Sequence, residues 1–364
     1  MPLSHAEAPA PTSCSASSAR LGEPLGGTAP VAGRWLAIEQ PGPWGGRALT
    51  DSHFPHELGR LLSLKADAAG VRIAMIRRPG QHAEHDPYAP RRVFLADTRP
   101  GRVALWSWST SDPATLLDLN FDVPGKPEHE AGPLLLVCTN AKRDACCALV
   151  GRALAGWLAE DEQTDTDAVW ESDHLGGHRF APTAVVLPSG YVYGRLDGPA
   201  ARELLREAAA GRIGAERCRG RSTWSRPGQA AELALRAELQ EYAADAVVVL
   251  GERLLDPVPG APKLAAAEAQ AQATSPAVTP APAERRYEVT LAAPEAQAPV
   301  TATAVAPASA ERRYEVALTA GGDRFRAVLA ESAAAEPRPE SCGKAFGTPL
   351  ELRLVSLEKD REER

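Results

Sequence analysis

The sequence predicts a two-domain α/β protein with a low-complexity linker and a short β-rich C-terminal tail. Strand-like runs flank an amphipathic segment in the first third, and a wholly apolar run at 133–138 opens a second succession of strand, helix and hairpin. From about Asp256 to Ala283 the composition collapses to Ala, Pro, Gln, Ser and Thr, which cannot bury enough apolar surface to offset chain entropy. The 364 residues also exceed the ~150 residues of a typical domain, so two or three units are expected.

Residues 1–20, rich in Ala, Ser and Pro, read as a flexible arm. The N-terminal domain, 21–125, begins with a Gly-rich stretch at 25–29 and the strand-like run 34–39. The segment 41–46 is loop chemistry, and Pro55 to Ala66 carries Leu58, Leu61, Leu62 and Leu64 at spacings that suit one helix face. Strands are expected at 71–76, 92–96 and 103–106. In the second domain, 126–255, the run 133–138 lacks alternation, as in a strand covered on both faces. A helix follows over 144–160, with Leu149, Ala153 and Trp157 as its buried stripe. A hairpin turns at Pro188-Ser189-Gly190, and helices at 199–210 and 228–243 lead into a strand at 246–250. Strand, helix, hairpin, helix is a thioredoxin-like order, and the N-terminal domain reads as a degenerate copy of it. Residues 256–309 form the linker and include the first copy of a duplication, 283–289. The second copy, 310–316, belongs to the C-terminal segment 310–364, with strands at 325–329 and 350–357.

Forty Lys and Arg against 47 Asp and Glu leave a net charge of -7, which argues against binding a phosphate backbone. No apolar run approaches the ~18 residues needed to span a bilayer, and the first twenty residues have no apolar signal core. The expectation is a cytoplasmic protein with neither nucleic acid nor membrane as partner. Six cysteines are too sparse for a disulfide framework, so clustered ones point to metal or redox use.

Cys138 ends the apolar strand and Cys147 lies in the first turn of the next helix; His174 and His178 bracket Leu175-Gly176-Gly177 in a loop whose bare backbone could approach a bulky ligand. Thiolates with imidazoles suit zinc or an iron-sulfur cluster and not a hard, oxygen-seeking ion. Finger-type sites space their cysteines only ~2–4 residues apart, so the wider separation favours a cluster without excluding zinc. Cys14, Cys218 and Cys342 have no ligand-type neighbours in sequence and read as isolated thiols. His53, His56, His82, Glu84, His85 and Asp86 read as solvated loop residues. Glu171 and Asp173 read as structural, so no hydrolase activity is assigned. A thiol oxidoreductase is a further alternative, although no Cys-x-x-Cys is present.

The stretches Cys138 to Gly151 and Trp170 to Pro182 resemble the sucrase/ferredoxin-like family, and the resemblance extends more loosely to 27–29, 39–45, 219–222 and 341–344. It implies a thioredoxin-like ferredoxin domain whose [2Fe-2S] cluster is held by Cys138, Cys147, His174 and His178, with Cys146 as the alternative to Cys147. Arg143, Asp144, Gly176, Gly177 and Arg179 are expected to support these ligands. The implied role is electron transfer between a reductase donor and an unidentified acceptor, through transient contacts and without stand-alone catalysis. A zinc-stabilised interaction protein using the same four residues is the alternative. Two thiolates leave an oxidised cluster near zero net charge, against about minus two for four, which raises the potential and, through the imidazoles, makes it pH-dependent.

Overall fold

Ser13 caps a short helix, α1 (Cys14–Arg20), by accepting a hydrogen bond from the Ala16 N–H at 3.2 Å. The structure is a computed structural model and describes residues 13–83, 86, 88–122, 129–130, 132–255 and 311–360. Residues 14–20 are therefore helical, not part of a flexible arm. Cys14, Ser15, Ser17 and Ser18 are all buried, because small side chains let the helix lie close against the domain. The linker 256–309 with the first duplicated copy, and also Glu84 and His85, fall outside the described residues.

Alternation along β1 (Arg34–Glu39) sends Trp35 and Ala37 into one core and Leu36 and Ile38 into another, so the strand is covered on both faces. Through α2 (Ala48–Asp51) and α3 (His56–Ala68) the chain reaches β2 (Val71–Arg77), parallel to β1. On the other side of β1 lie β3 (Arg91–Asp97), β4 (Ala104–Thr110) and β5 (His129–Glu130), each antiparallel to its neighbour.

The second half repeats this arrangement. β6 (Leu134–Cys138) passes through α4 (Arg152–Glu160) to the parallel strand β7 (Val169–Ser172). The hairpin of β8 (Ala184–Leu187) and β9 (Tyr191–Tyr193) packs antiparallel on the far side of β6. After α5 (Gly198–Ala209), β10 (Cys218–Arg221) extends that edge. The order β2-β1-β3-β4 thus recurs as β7-β6-β8-β9, and β2 pairs antiparallel with β7 to join both halves in one ten-stranded mixed sheet among the described residues.

One face of the sheet carries a core running through both halves, with Trp35, Phe94, Leu136, Trp170 and Val185. On the other face α3 covers the first half, and α4 and α5 cover the second. The strand expected at 246–250 opens a separate antiparallel sheet instead of closing this one. After α6 (Arg226–Leu239), β11 (Val247–Leu255) pairs with β12 (Arg312–Ala320), which holds most of the second duplicated copy, and β13 (Asp323–Ala333) follows. Two short paired strands, β14 (Arg338–Pro339) and β15 (Phe346–Gly347), precede β16 (Leu350–Lys359), which completes the four-stranded sheet. Ala231 and Leu235 of α6 fill its core with Val247, Val316, Leu318 and Leu329.

Candidate metal centre

Cys138 is the last residue of β6, and its N–H donates to the Thr183 carbonyl at 2.9 Å. The chain re-enters a helix through a wide π turn, Cys147–Gly151, that runs into α4. A side chain at Gly151 would collide with the Cys138 carbonyl, so glycine lets this turn lie against the strand end. That approach brings the Cys147 thiol into hydrogen-bond contact with the Cys138 thiol. The extra residue in the π turn also rotates the helix face: Leu149, expected in the buried stripe, is 59% exposed, while Leu154, Ala155 and Leu158 are buried.

The histidine loop hangs from the junction between the two halves. Beyond β7 the Asp173 N–H donates to the Met75 carbonyl at 2.9 Å, and the Met75 N–H returns a bond to Asp173 Oδ1 at 3.2 Å. Arg72 from β2 donates to the His174 carbonyl at 2.9 Å, and Arg219 from β10 donates to the Gly176 carbonyl at 3.0 Å. Gly177 has φ 72°, and a side chain there would run into the Arg219 guanidinium; a side chain at Gly176, φ 87°, would point into open space. The glycine at 177 thus makes room for an arginine, where the sequence suggested close approach of a ligand. The loop sets the His174 and His178 rings 5.4 Å apart between centroids at 31°. Both Nδ1 atoms are shielded from solvent and have no hydrogen-bond partner among the described residues.

Hydrogen bonds from Cys147, the His174 ring and the Leu175 N–H hold the Cys138 thiol well below the usual thiol range, against the opposing effect of burial. Cys147, which donates to Cys138 and is itself buried, is pushed the other way. Burial lowers His178, partly offset by Asp144. Burial also pushes Arg219 down to about 9, an effect increased by Arg179 and resisted by Cys138 and Cys147. Arg219 and Arg72 are the cations fixed at the loop. Arg143, expected to supply positive field, is exposed, and Arg179 pairs with Glu23 at 2.8 Å. Arg219 lay within the resemblance at 219–222 without an evident role; Arg72 sits in an ordinary alternating strand and carried no signal. Glu171 is structural, forming a buried ion pair with Arg77 at 2.7 Å and accepting from Thr139 Oγ1 at 3.0 Å.

The four expected ligands therefore gather from two separated stretches onto one end of β6. The family model for sucrase/ferredoxin-like proteins matches residues 25–220, over half of the chain. The chain belongs to the sucrase/ferredoxin-like family. No curated protein and no solved structure matches it. The family region holds all four of these residues together with Arg72 and Arg219, while the four-stranded sheet lies beyond it. No helix among the described residues is long and apolar enough to cross a membrane.

A second donor group draws on residues both inside and outside the sucrase/ferredoxin-like match. The ligand atoms of Cys14, Asp144, Cys146 and Cys342 all lie within 4.8 Å of one another, a set that could hold a metal ion. Cys14 and Cys342 are therefore not isolated thiols, and Cys146 contacts this group while Cys147 contacts Cys138. Asp144, expected to support the histidines, accepts hydrogen bonds within the second group. Cys218 lies in the apolar core, where burial pushes its thiol up to about 12. His82 is exposed, and His56, also exposed, contacts Glu57.

Proposed function

We propose that this chain is an electron-transfer protein holding one [2Fe-2S] cluster through Cys138, Cys147, His174 and His178. The observation that carries this reading is the pair of buried imidazole Nδ1 atoms without partners, beside two thiols already in contact. Buried polar atoms are nearly always bonded, so two orphaned nitrogens at one place call for a shared partner that accepts sulfur and imidazole ligands. A cluster bound there supplies reversible one-electron transfer.

The surrounding residues suit that task. The Leu175 N–H donates to the Cys138 sulfur, and Arg72 and Arg219 fix the histidine loop through its carbonyls while offsetting the thiolate charge. His174 and His178 are only partly buried, which leaves a short exit toward a reductase and an acceptor that dock transiently on this loop. The repeated strand order supports reading the halves as two copies of a thioredoxin-like unit, the second carrying the site; thiols kept reduced for such a centre suit a cytoplasmic location.

One observation favours a second reading, a single zinc ion on the same residues: Cys138 contacts both Cys147 and His174 directly, the compactness a lone ion requires. Anaerobic purification followed by absorption spectroscopy, electron paramagnetic resonance after dithionite, and iron and sulfide assays separates the two. A red-brown protein with about two irons and two sulfides per chain is expected. A chain that binds zinc at Cys138 and His174 and takes up no iron on reconstitution overturns the electron-carrier reading.

A further inference from the structure

We infer that Cys14, Cys146, Cys342 and Asp144 form a second, structural site for one zinc ion, independent of the proposed cluster. The three sulfurs form a nearly equilateral triangle, with Cys14–Cys146 at 3.5 Å, Cys146–Cys342 at 3.2 Å and Cys342–Cys14 at 3.6 Å. The triangle's centre lies ~2.0 Å from each sulfur, so an ion with Zn–S bonds of about 2.3 Å sits ~1.1 Å above the plane, at the apex of a pyramid that leaves a fourth corner open. Each iron of a [2Fe-2S] cluster spends two of its four positions on bridging sulfide and keeps only two for protein ligands, so three cysteine sulfurs in mutual contact suit a single ion and not a cluster.

Asp144 supplies the fourth corner. Its Oδ2 accepts from Ser341 Oγ at 2.9 Å and from the Cys342 N–H at 2.8 Å, and its Oδ1 accepts only one such bond, from the Cys146 N–H at 2.8 Å. The Cys14 sulfur lies 3.7 Å from both oxygens, so Oδ1 has capacity left toward the thiols. The carboxylate is 4% exposed and forms no ion pair among the described residues. A buried charge without a counterion is costly, and a divalent cation at this corner supplies what is missing. A disulfide between Cys146 and Cys342 would use two of the thiols and leave both the third and the carboxylate uncompensated. Soft sulfur with one carboxylate selects zinc over magnesium or calcium. Zinc binding releases the thiol protons to solvent and leaves the sulfurs in the same oxidation state. Ser15 Oγ, which donates to the Cys146 sulfur at 3.2 Å, orients one ligand from outside.

The test uses the full chain, purified under reducing conditions, with metals counted by mass spectrometry. About one zinc per chain is expected. Cys14→Ser and Cys342→Ser should each lose most of it, while Cys138→Ser and His174→Ala retain it; the proposed cluster at Cys138 is scored separately by iron and sulfide. Cobalt exchanged into the chain should give the intense visible bands of tetrahedral thiolate coordination, absent in Cys14→Ser. Should these variants not fold, alkylation mapping of the unaltered chain decides: Cys14, Cys146 and Cys342 should be protected with zinc and become reactive after chelation. A Cys146–Cys342 disulfide in the reduced preparation, zinc that leaves with Cys138→Ser but stays in Cys342→Ser, or alkylation unchanged by chelation each overturns the proposal.

Discussion

At the scale of single residues, the imidazoles decide how the proposed centre behaves. His174→Cys or His178→Cys places a third thiolate on the centre; a redox titration is expected to find a cluster still present at a lower potential. In the unaltered protein, protons taken up at the imidazoles on reduction should make the potential fall as pH rises, by up to about 59 mV per unit. A potential flat across neutral pH would count against histidine ligation. Gly177→Ala forces a side chain onto the Arg219 guanidinium from a left-handed backbone, so thermal unfolding should show a loss of ~1–3 kcal/mol together with reduced metal content. Cys138 with Cys147, and His174 with His178, were legible in the sequence as two local pairs of ligand-type residues, one spanning a strand end and the next helical turn and the other bracketing two glycines; that the pairs face one another is a property of the fold. Cys14 and Cys342 were not, because 328 residues separate them and neither has a neighbouring ligand to betray it.

At the scale of elements, Glu23 holds three pieces together. Its carboxylate, 3% exposed, meets Arg179 of the histidine turn at 2.8 Å and Arg338 of β14 at 2.8 Å, and the Glu23 carbonyl accepts from Arg195 at 2.9 Å. Burial alone would raise its pKa, but the guanidiniums of Arg338 and Arg179 prevail and hold the carboxyl below its ordinary 4.5. The stability this supplies is complete above pH about 4.5 and is lost as pH falls through the lower folded value. Glu23→Gln should therefore lower the melting temperature at neutral pH, and the gap from the unaltered chain should close as the buffer is acidified. Most strand positions could be read from short apolar runs bounded by turn residues, β1 to the residue, since burial on both faces imposes such runs directly. Three features could not. The helical residues 14–20 are small and polar and owe their order to tertiary packing. The π turn displaces the face that a regular period assigns to Leu149. The partners of β11 lie beyond 55 intervening residues outside the described regions, with no local cue to which sheet it joins.

At the scale of the whole molecule, the two halves meet where β2 pairs with β7, and Arg77 opposite Glu171 seals that seam. The two side chains are 2% and 3% exposed, and the Arg77 guanidinium stacks 3.9 Å from the Trp44 ring. Arg77→Ala leaves the buried Glu171 carboxylate without its cation and should cost ~3–5 kcal/mol in denaturant unfolding, whereas replacing both partners by apolar residues should cost less. Equal losses in the single and double variants would show that packing, not charge, closes the seam. The α/β class and the repeated succession of strands were legible from periodicity; the continuous sheet through both halves was not, since antiparallel pairing of two edge strands leaves no mark on either strand's own sequence.

The triangle of Cys14, Cys146 and Cys342 sets an order on the birth of this protein. During synthesis, Cys146 emerges 196 residues ahead of its partner Cys342. At ~5–20 residues per second, translation leaves the loop beside Cys147 with an unfinished neighbour for roughly 10–40 s. Whatever loads the adjacent centre meets, during that interval, a nascent chain whose last corner has not yet been made.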